Sequence, residues 1–215
     1  MAAIFSSALI MMLTRMGSLN TLEQDKGNSF WRRWLRMALP SADTIGRVYS
    51  QISVDSIRSL IHQIYSRLKR NKAIKKTFGF HPLIIDGHEH TSSYLRSCPG
   101  CLRRKIHTRD QDRIQYYHRN VIAMLSDKDF PVLLDVEEQR KGENEASCAI
   151  RLCKRILKSY PRAFSVVVTD GLYLEAPFFN LFLEHGKHVI AVLKDERRDL
   201  MVDARGLFRQ EKPFI

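Results

Sequence analysis

Two aspartates each close an apolar run that reads as a β-strand. Asp86 ends PLIID, Asp170 ends AFSVVVTD, and a glycine follows each of them. A carboxylate at the end of a core strand needs a paired charge or a bound cation. If the two strands are neighbours, their carboxylates repel, and a divalent cation resolves the repulsion. Mg²⁺ or Mn²⁺ suits an oxygen site of one or two carboxylates completed by water and phosphate oxygens. Two such ions activate a water or a hydroxyl for in-line phosphoryl transfer. The plainer alternative is that each aspartate caps the turn after it, as Asp-Gly pairs commonly do.

A second constellation lies between them. Cys98 and Cys101 form a Cys-x-x-Cys pair around Pro99-Gly100, with His107 and His118 downstream. Thiolates two residues apart grip one tetrahedral Zn²⁺ across a tight turn, and imidazoles complete the shell. His118 is the expected third ligand, with His107, His90 and His88 as rivals for the fourth. Free thiols in a turn and a redox disulfide are the other readings of the pair. Cys148 and Cys153 read as small core residues, and His62, His81, His185 and His188 stand alone.

The charge balance points to the partner. Lys and Arg number 35 against 23 Asp and Glu, a net charge of +12, which favours a polyanion such as nucleic acid. Arg67, Lys69, Arg70, Lys72, Lys75 and Lys76 follow one another without an acid, and Arg103, Arg104, Lys105, Arg109 and Arg113 form a second group. A solvated face is the plain reading of either run. Two runs flanking LIIDGHEH suggest a DNA groove. Hydrophobic content of 44% with 27% charged residues is that of a globular chain and argues against disorder.

Residues 1–78 have a helical pattern. IFSSALIMML reads as a core-facing helix, too short to cross a bilayer and without the flanks of a secretory signal. FWRRWLRM places Trp31 and Trp34 one turn apart, expected in a core with the arginines outside. Ser41 is an expected cap for SADTIGRVYS. Ile57, Leu60, Ile61, Ile64 and Leu68 recur at helical spacing on one face of the next segment. The pair suits a helix-turn-helix or an ordinary bundle. Four cysteines without a disulfide-framework spacing fit a reducing cytoplasm.

Residues 79–215 change period. PLIID, RNVIAMLS and PVLLDV read as strands. ENEASCAIRLCKRILKSY reads as a helix with Ala146, Ala149, Ile150, Cys153, Ile156 and Leu157 on one stripe. The strand AFSVVVTD, a helix over about 175–185 and the strand HVIAVLK follow. This order is the skeleton of an α/β, ribonuclease-H-like mixed sheet, with 88–118 as a zinc hairpin insertion. In that sheet the strands ending in Asp86 and Asp170 are neighbours.

IIDGHEHTSSYLRSCPGCLRR, YYHRNVIAMLS and SVVVTDGLYLEAPFFNLFLEHGKHVIAVLKDERRDLMVDARGLF together resemble the catalytic core of DDE-type insertion-sequence transposases. The likeness covers roughly residues 83–208. It implies that Asp86 and Asp170 are the first two acids of the catalytic triad and that Mg²⁺ or Mn²⁺ is the cofactor. It also implies DNA cleavage and strand transfer at insertion-sequence terminal repeats, action as a homodimer, and a nucleoid location if the cell is prokaryotic. The family's third acid, a Glu on a helix after the last core strand, is expected beyond residue 215, because Glu196 and Glu211 come too soon after HVIAVLK. The chain then corresponds to the front portion of such an enzyme. Tyr173 is expected under the site or against a phosphate, and Lys194 on the DNA backbone. The alternatives are a non-catalytic DNA-binding remnant or regulator of transposition, and an RNA-binding zinc hairpin.

Overall fold

The computed structural model describes residues 2–108, 111–193 and 199–210. The chain divides into two compact units, Met1–Ser59 and Leu60–Ile215. The division falls inside a helix, well before residue 78.

The first unit is helical. It contains α1 (Ala2–Leu13), α2 (Leu19–Gln24), α3 (Ser29–Leu35), α4 (Ala42–Ser50) and the start of α5 (Val54–Arg70). Its helices begin where side-chain oxygens can take up free backbone N–H groups. Ser18 Oγ accepts from Thr21 N at 3.1 Å, Asn28 Oδ1 from Phe30 N at 3.0 Å and Ser41 Oγ from Thr44 N at 3.2 Å. Ala8, Leu22, Trp31 and Ile45 form the core. The Trp31 indole N–H donates to Asp25 Oδ2 at 2.8 Å, so the buried ring keeps its polar atom satisfied.

Trp34 corrects the expectation of a paired tryptophan core. It is 56% exposed and stacks on Phe30 at 6.0 Å; the two tryptophans share a side of the short helix, but the core of the unit covers only Trp31. The α5 stripe is corrected in the same way: Ile57, Leu60 and Ile64 are exposed, while Tyr65 is buried and Leu68 packs on the core of the second unit.

The second unit carries the rest of α5 and then β1 (Pro82–Ser93), β2 (Leu102–His107), β3 (Asp112–Leu125), β4 (Val132–Glu138), α6 (Glu145–Ser159), β5 (Val166–Thr169), α7 (Ala176–Leu183), β6 (His188–Ala191) and α8 (Asp199–Gln210). The strands form one mixed sheet. β1 is central, antiparallel to β3 and parallel to β5, and β5 is parallel to β6. β2 and β4 share the far edge of β3, β2 pairing with its first half and β4 with its second. The extended end of β1 with β2 and β3 makes the hairpin that bears Cys98 and Cys101 at its bend.

One face of the sheet is a true core. Leu83, Ile85, Val121, Ala123, Leu125 and Val167 alternate onto it. They meet α6, whose first turn is capped by Asn144 Oδ1 accepting from Ser147 N at 2.8 Å. The buried stripe of α6 includes Cys148 and Leu152 in place of Ile150, which is only half-buried. Burial pushes the Cys148 thiol up to about 11 and Cys153 above the range in which a thiol ionises in water. Both cysteines are therefore core side chains. Beside them, Arg155 binds Asp135 at 2.5 Å and Glu137 at 2.6 Å, and Arg151 binds Glu137 at 3.1 Å. No described helix is long and apolar enough to cross a membrane.

Candidate functional site

Ile84 pairs with Val168 and Ile85 with Thr169 across the parallel strands β1 and β5. The next positions are Asp86 and Asp170. Side chains alternate along a strand, so both aspartates continue the Ile84–Val168 row on the face opposite α6. The pairing is reinforced by Thr169 Oγ1, which donates to the Ile85 carbonyl at 3.2 Å. One oxygen of each aspartate accepts a local backbone N–H, Asp86 from Gly87 at 2.9 Å and Asp170 from Leu172 at 2.9 Å. The second oxygen of each has no partner among the described residues.

Tyr173 lies under this pair. It is fully buried, and its hydroxyl donates to Glu145 Oε1 at 2.7 Å. Burial raises the phenol above its ordinary range, the bond to Glu145 raises it further, and the charges of Glu145, Asp86 and Asp170 add to the shift. Tyr173 is thus a fixed neutral donor. Glu145 is packed against Gly87, where a Cβ would fall 2.1 Å from its Oε1. Its Oε2 accepts from Arg119 at 2.8 Å, and Arg119 reaches Glu89 at 3.7 Å. Arg104 forks onto Glu89 at 2.8 and 2.9 Å and lies over the Tyr117 ring at 4.7 Å. An ionic chain therefore joins the aspartate end of β1 to the hairpin.

At the hairpin bend the predicted ligands meet. Cys98 Sγ and Cys101 Sγ are 3.5 Å apart, and His118 Nε2 lies 3.2 Å from the first and 3.4 Å from the second. This cluster can hold a metal ion. Pairing of Leu102 with Tyr117 brings the turn beside His118. His118 Nδ1 is bound to Glu138 Oε1 at 2.8 Å, which leaves Nε2 directed at the sulfurs and keeps the imidazole above its ordinary pKa, with Cys98 adding to the effect. The Cys98 thiol is held low, first by the hydrogen bond with Cys101, then by the Gly100 N–H, with His118 assisting.

The rivals for a fourth ligand separate. His107 pairs with Asp112 at the far end of β2, bonded to Oδ1 at 2.7 Å. Five residues of strand, roughly 16 Å, divide it from Leu102, so His107 is not part of this cluster. His88 pairs with Asn120. His90 falls at the register irregularity between Glu89 and Thr91, and its ring centre is 5.9 Å from that of His118.

The basic groups divide as well. Arg67, Lys69, Arg70, Lys72 and Lys76 are exposed, with no ion-pair partner among the described residues. Lys75 is bound to Asp129 at 2.5 Å and Lys105 to Asp112 at 2.6 Å. Arg104 is engaged by Glu89, and Arg103 lies over the Tyr116 ring at 5.6 Å. Arg109, Lys194, Glu196 and Glu211 lie outside the described residues.

Sequence reasoning passed over Glu145, Arg119 and Glu138. Glu145 reads as an ordinary first-turn acid of α6, and the others as solvated strand charges. Comparison with protein-family models, curated proteins and solved structures returned no match.

Proposed function

We propose that this chain is a DDE-type transposase, or a fragment of one that carries its first two acids, on a ribonuclease-H-like sheet, the family cutting and transferring DNA strands at insertion-sequence terminal repeats. The observation that supports the reading is the Ile85–Thr169 register, the last pair of the two parallel strands, directly after which Asp86 and Asp170 follow. Their donor set fits a hard cation: each offers a carboxylate oxygen without another partner, on the half-open face of the sheet. Mg²⁺ or Mn²⁺, when bound, supplies charge neutralisation and activation of the attacking oxygen. Asp86 and Asp170 hold the position, Tyr173 with its acceptor Glu145 fixes the floor below them, and the unpaired cations of the Arg67–Lys76 run attract the DNA backbone.

The hairpin is read as a structural zinc centre. A tetrahedral Zn²⁺ with bonds of about 2.3 Å to sulfur and 2.0–2.1 Å to nitrogen spaces two sulfurs about 3.8 Å apart and sulfur from nitrogen about 3.5 Å. The three separations in the hairpin, 3.5, 3.2 and 3.4 Å, are close to these. The metal-binding cluster as it stands has three members; the His90 ring, centred 5.9 Å from that of His118, would supply a fourth ligand by turning toward the sulfurs, since two imidazoles on one such ion have ring centres about 5.2 Å apart. Glu138 orients His118 as carboxylates commonly orient zinc-bound histidines.

Nicking of duplexes drawn from the DNA flanking the coding sequence, in Mn²⁺, tests the function. Asp86→Asn and Asp170→Asn each abolish nicking and keep DNA binding. Undiminished nicking in either variant would sink the assignment. One observation favours a second reading: each aspartate accepts the local N–H expected of a turn cap. On that reading the protein is a non-catalytic DNA binder, showing steep salt dependence and no metal-dependent nicking.

A further inference from the structure

A pocket of about 640 Å³ opens between the last turn of α5 and the segment after α6. Lys69, Arg70 and Arg162 line it, with no acid among its lining residues. Its floor is Tyr65 and Tyr160, 7% and 5% exposed, in an edge-to-face contact at 5.1 Å. Tyr160 is pinned by its hydroxyl donating to the Leu134 carbonyl at 3.2 Å, and the exposed His62 ring sits 5.1 Å from the Tyr160 ring.

The described cations of this unit fall into two groups, those with carboxylate partners and those without, and the pocket gathers three of the second group. Lys75, Arg104, Lys105, Arg119, Arg151 and Arg155 all have carboxylate partners. Lys69, Arg70 and Arg162 have none among the described residues. Helix ends offer a partial explanation, since cations are favoured near C-termini. The magnitudes decide against it as a full account. Two helix C-termini supply roughly −0.5 each against three full positive charges, which leaves about +2 around one concavity. That is the charge of two consecutive phosphodiesters. The pocket is open to solvent, as a backbone contact requires, and the Tyr65 and Tyr160 rings are too buried to stack a base.

We propose that this pocket gathers Lys69 and Arg70 with Arg162 into one site that takes the phosphate backbone of one DNA strand. It rests on the DNA reading above and adds to it Arg162 and a defined seat for the backbone.

The test is the salt dependence of binding to a fluorescent 30-base-pair duplex, for the full chain and two double variants. Arg70→Ala with Arg162→Ala removes two pocket charges. Lys128→Ala with Lys154→Ala removes two charges elsewhere. All four side chains are exposed, so both variants keep the fold, which circular dichroism checks. The pocket variant lowers the slope of log affinity against log salt by about 2, from about 0.9 per phosphate contact, and the control variant does not. An unchanged slope in the pocket variant, with normal binding by the wild type, overturns the pocket site alone. No duplex binding by the wild type overturns the DNA reading and the pocket site together. Stabilisation by pyrophosphate that vanishes in the pocket variant, with the DNA slope unchanged, assigns the pocket to a free anion and overturns the proposal.

Discussion

The carboxylate of Glu145 occupies the space that a side chain on Gly87 would need, with Oε1 2.1 Å from the position of a Cβ. Glu145 has little freedom to retreat, because Tyr173 and Arg119 hold its two oxygens. Gly87→Ala should therefore destabilise the fold by about 1–3 kcal/mol, the usual cost of overpacking. Glu145→Ala should destabilise it too, by stripping partners from Tyr173 and Arg119. Urea unfolding of the two single variants and the double variant checks the contact. The double variant should cost less than the sum, since both changes act on one contact. Strict additivity would place the two residues apart.

Tyr173 and Tyr160 make stability fall in alkali. Burial pushes Tyr160 up to about 12, helped by the negative charge of Asp135 and by Tyr65, and Tyr173 is raised further. Above pH 10 the unfolded chain releases both phenolic protons while the folded chain keeps them. The folded state then binds more protons, so unfolding free energy declines as pH rises from about 10. Urea melts between pH 8 and 11.5 should show this decline, and Tyr173→Phe should make it shallower.

Arg155 neutralises Asp135 and Glu137, which are 5% and 9% exposed. Arg155→Ala leaves two buried carboxylates with diminished compensation and should cost about 3–5 kcal/mol. Thermal or urea unfolding at neutral pH reads the loss. A change below about 1 kcal/mol would mean that water already screens this pair.

The hairpin should carry one zinc per chain. Cys98→Ser, Cys101→Ser or His118→Ala should remove it, whereas His107→Ala should retain it. His90→Ala should keep the metal at reduced affinity, and in the Co²⁺-substituted protein should change the visible bands of a two-sulfur, two-nitrogen site. Glu138→Gln should weaken metal binding about 10–100-fold. Atomic absorption after dialysis checks stoichiometry. Wild-type protein without metal would remove the zinc reading, and identical cobalt spectra with and without His90 would remove only its role as ligand.

The sequence made some of this legible and hid the rest for physical reasons. Asp86 and Asp170 were visible because a charge after a β-branched run is costly, and Cys98, Cys101 and His118 because a tight turn joins the thiols. Those are local signals. The pairing of Glu145 with Gly87, of Arg119 with Glu89 and of Glu138 with His118 depends on strand register, which no local pattern states. β2 was hidden because LRRKIH carries charge where a strand would show apolar alternation, its arginines being occupied by Glu89 and by tyrosine rings. Helical spacing placed Trp34 beside Trp31, yet only one of the two faces the core. Spacing defines a face and does not say what covers it.

The central claim is that Asp86 and Asp170 share one divalent cation, and Mn²⁺ binding followed by electron paramagnetic resonance tests it most directly. The zinc-loaded wild type should bind Mn²⁺ in the presence of duplex DNA, and Asp86→Asn and Asp170→Asn should each weaken that binding at least tenfold with the fold intact. Equal Mn²⁺ affinity in wild type and both variants would contradict the account and leave the two aspartates as turn caps.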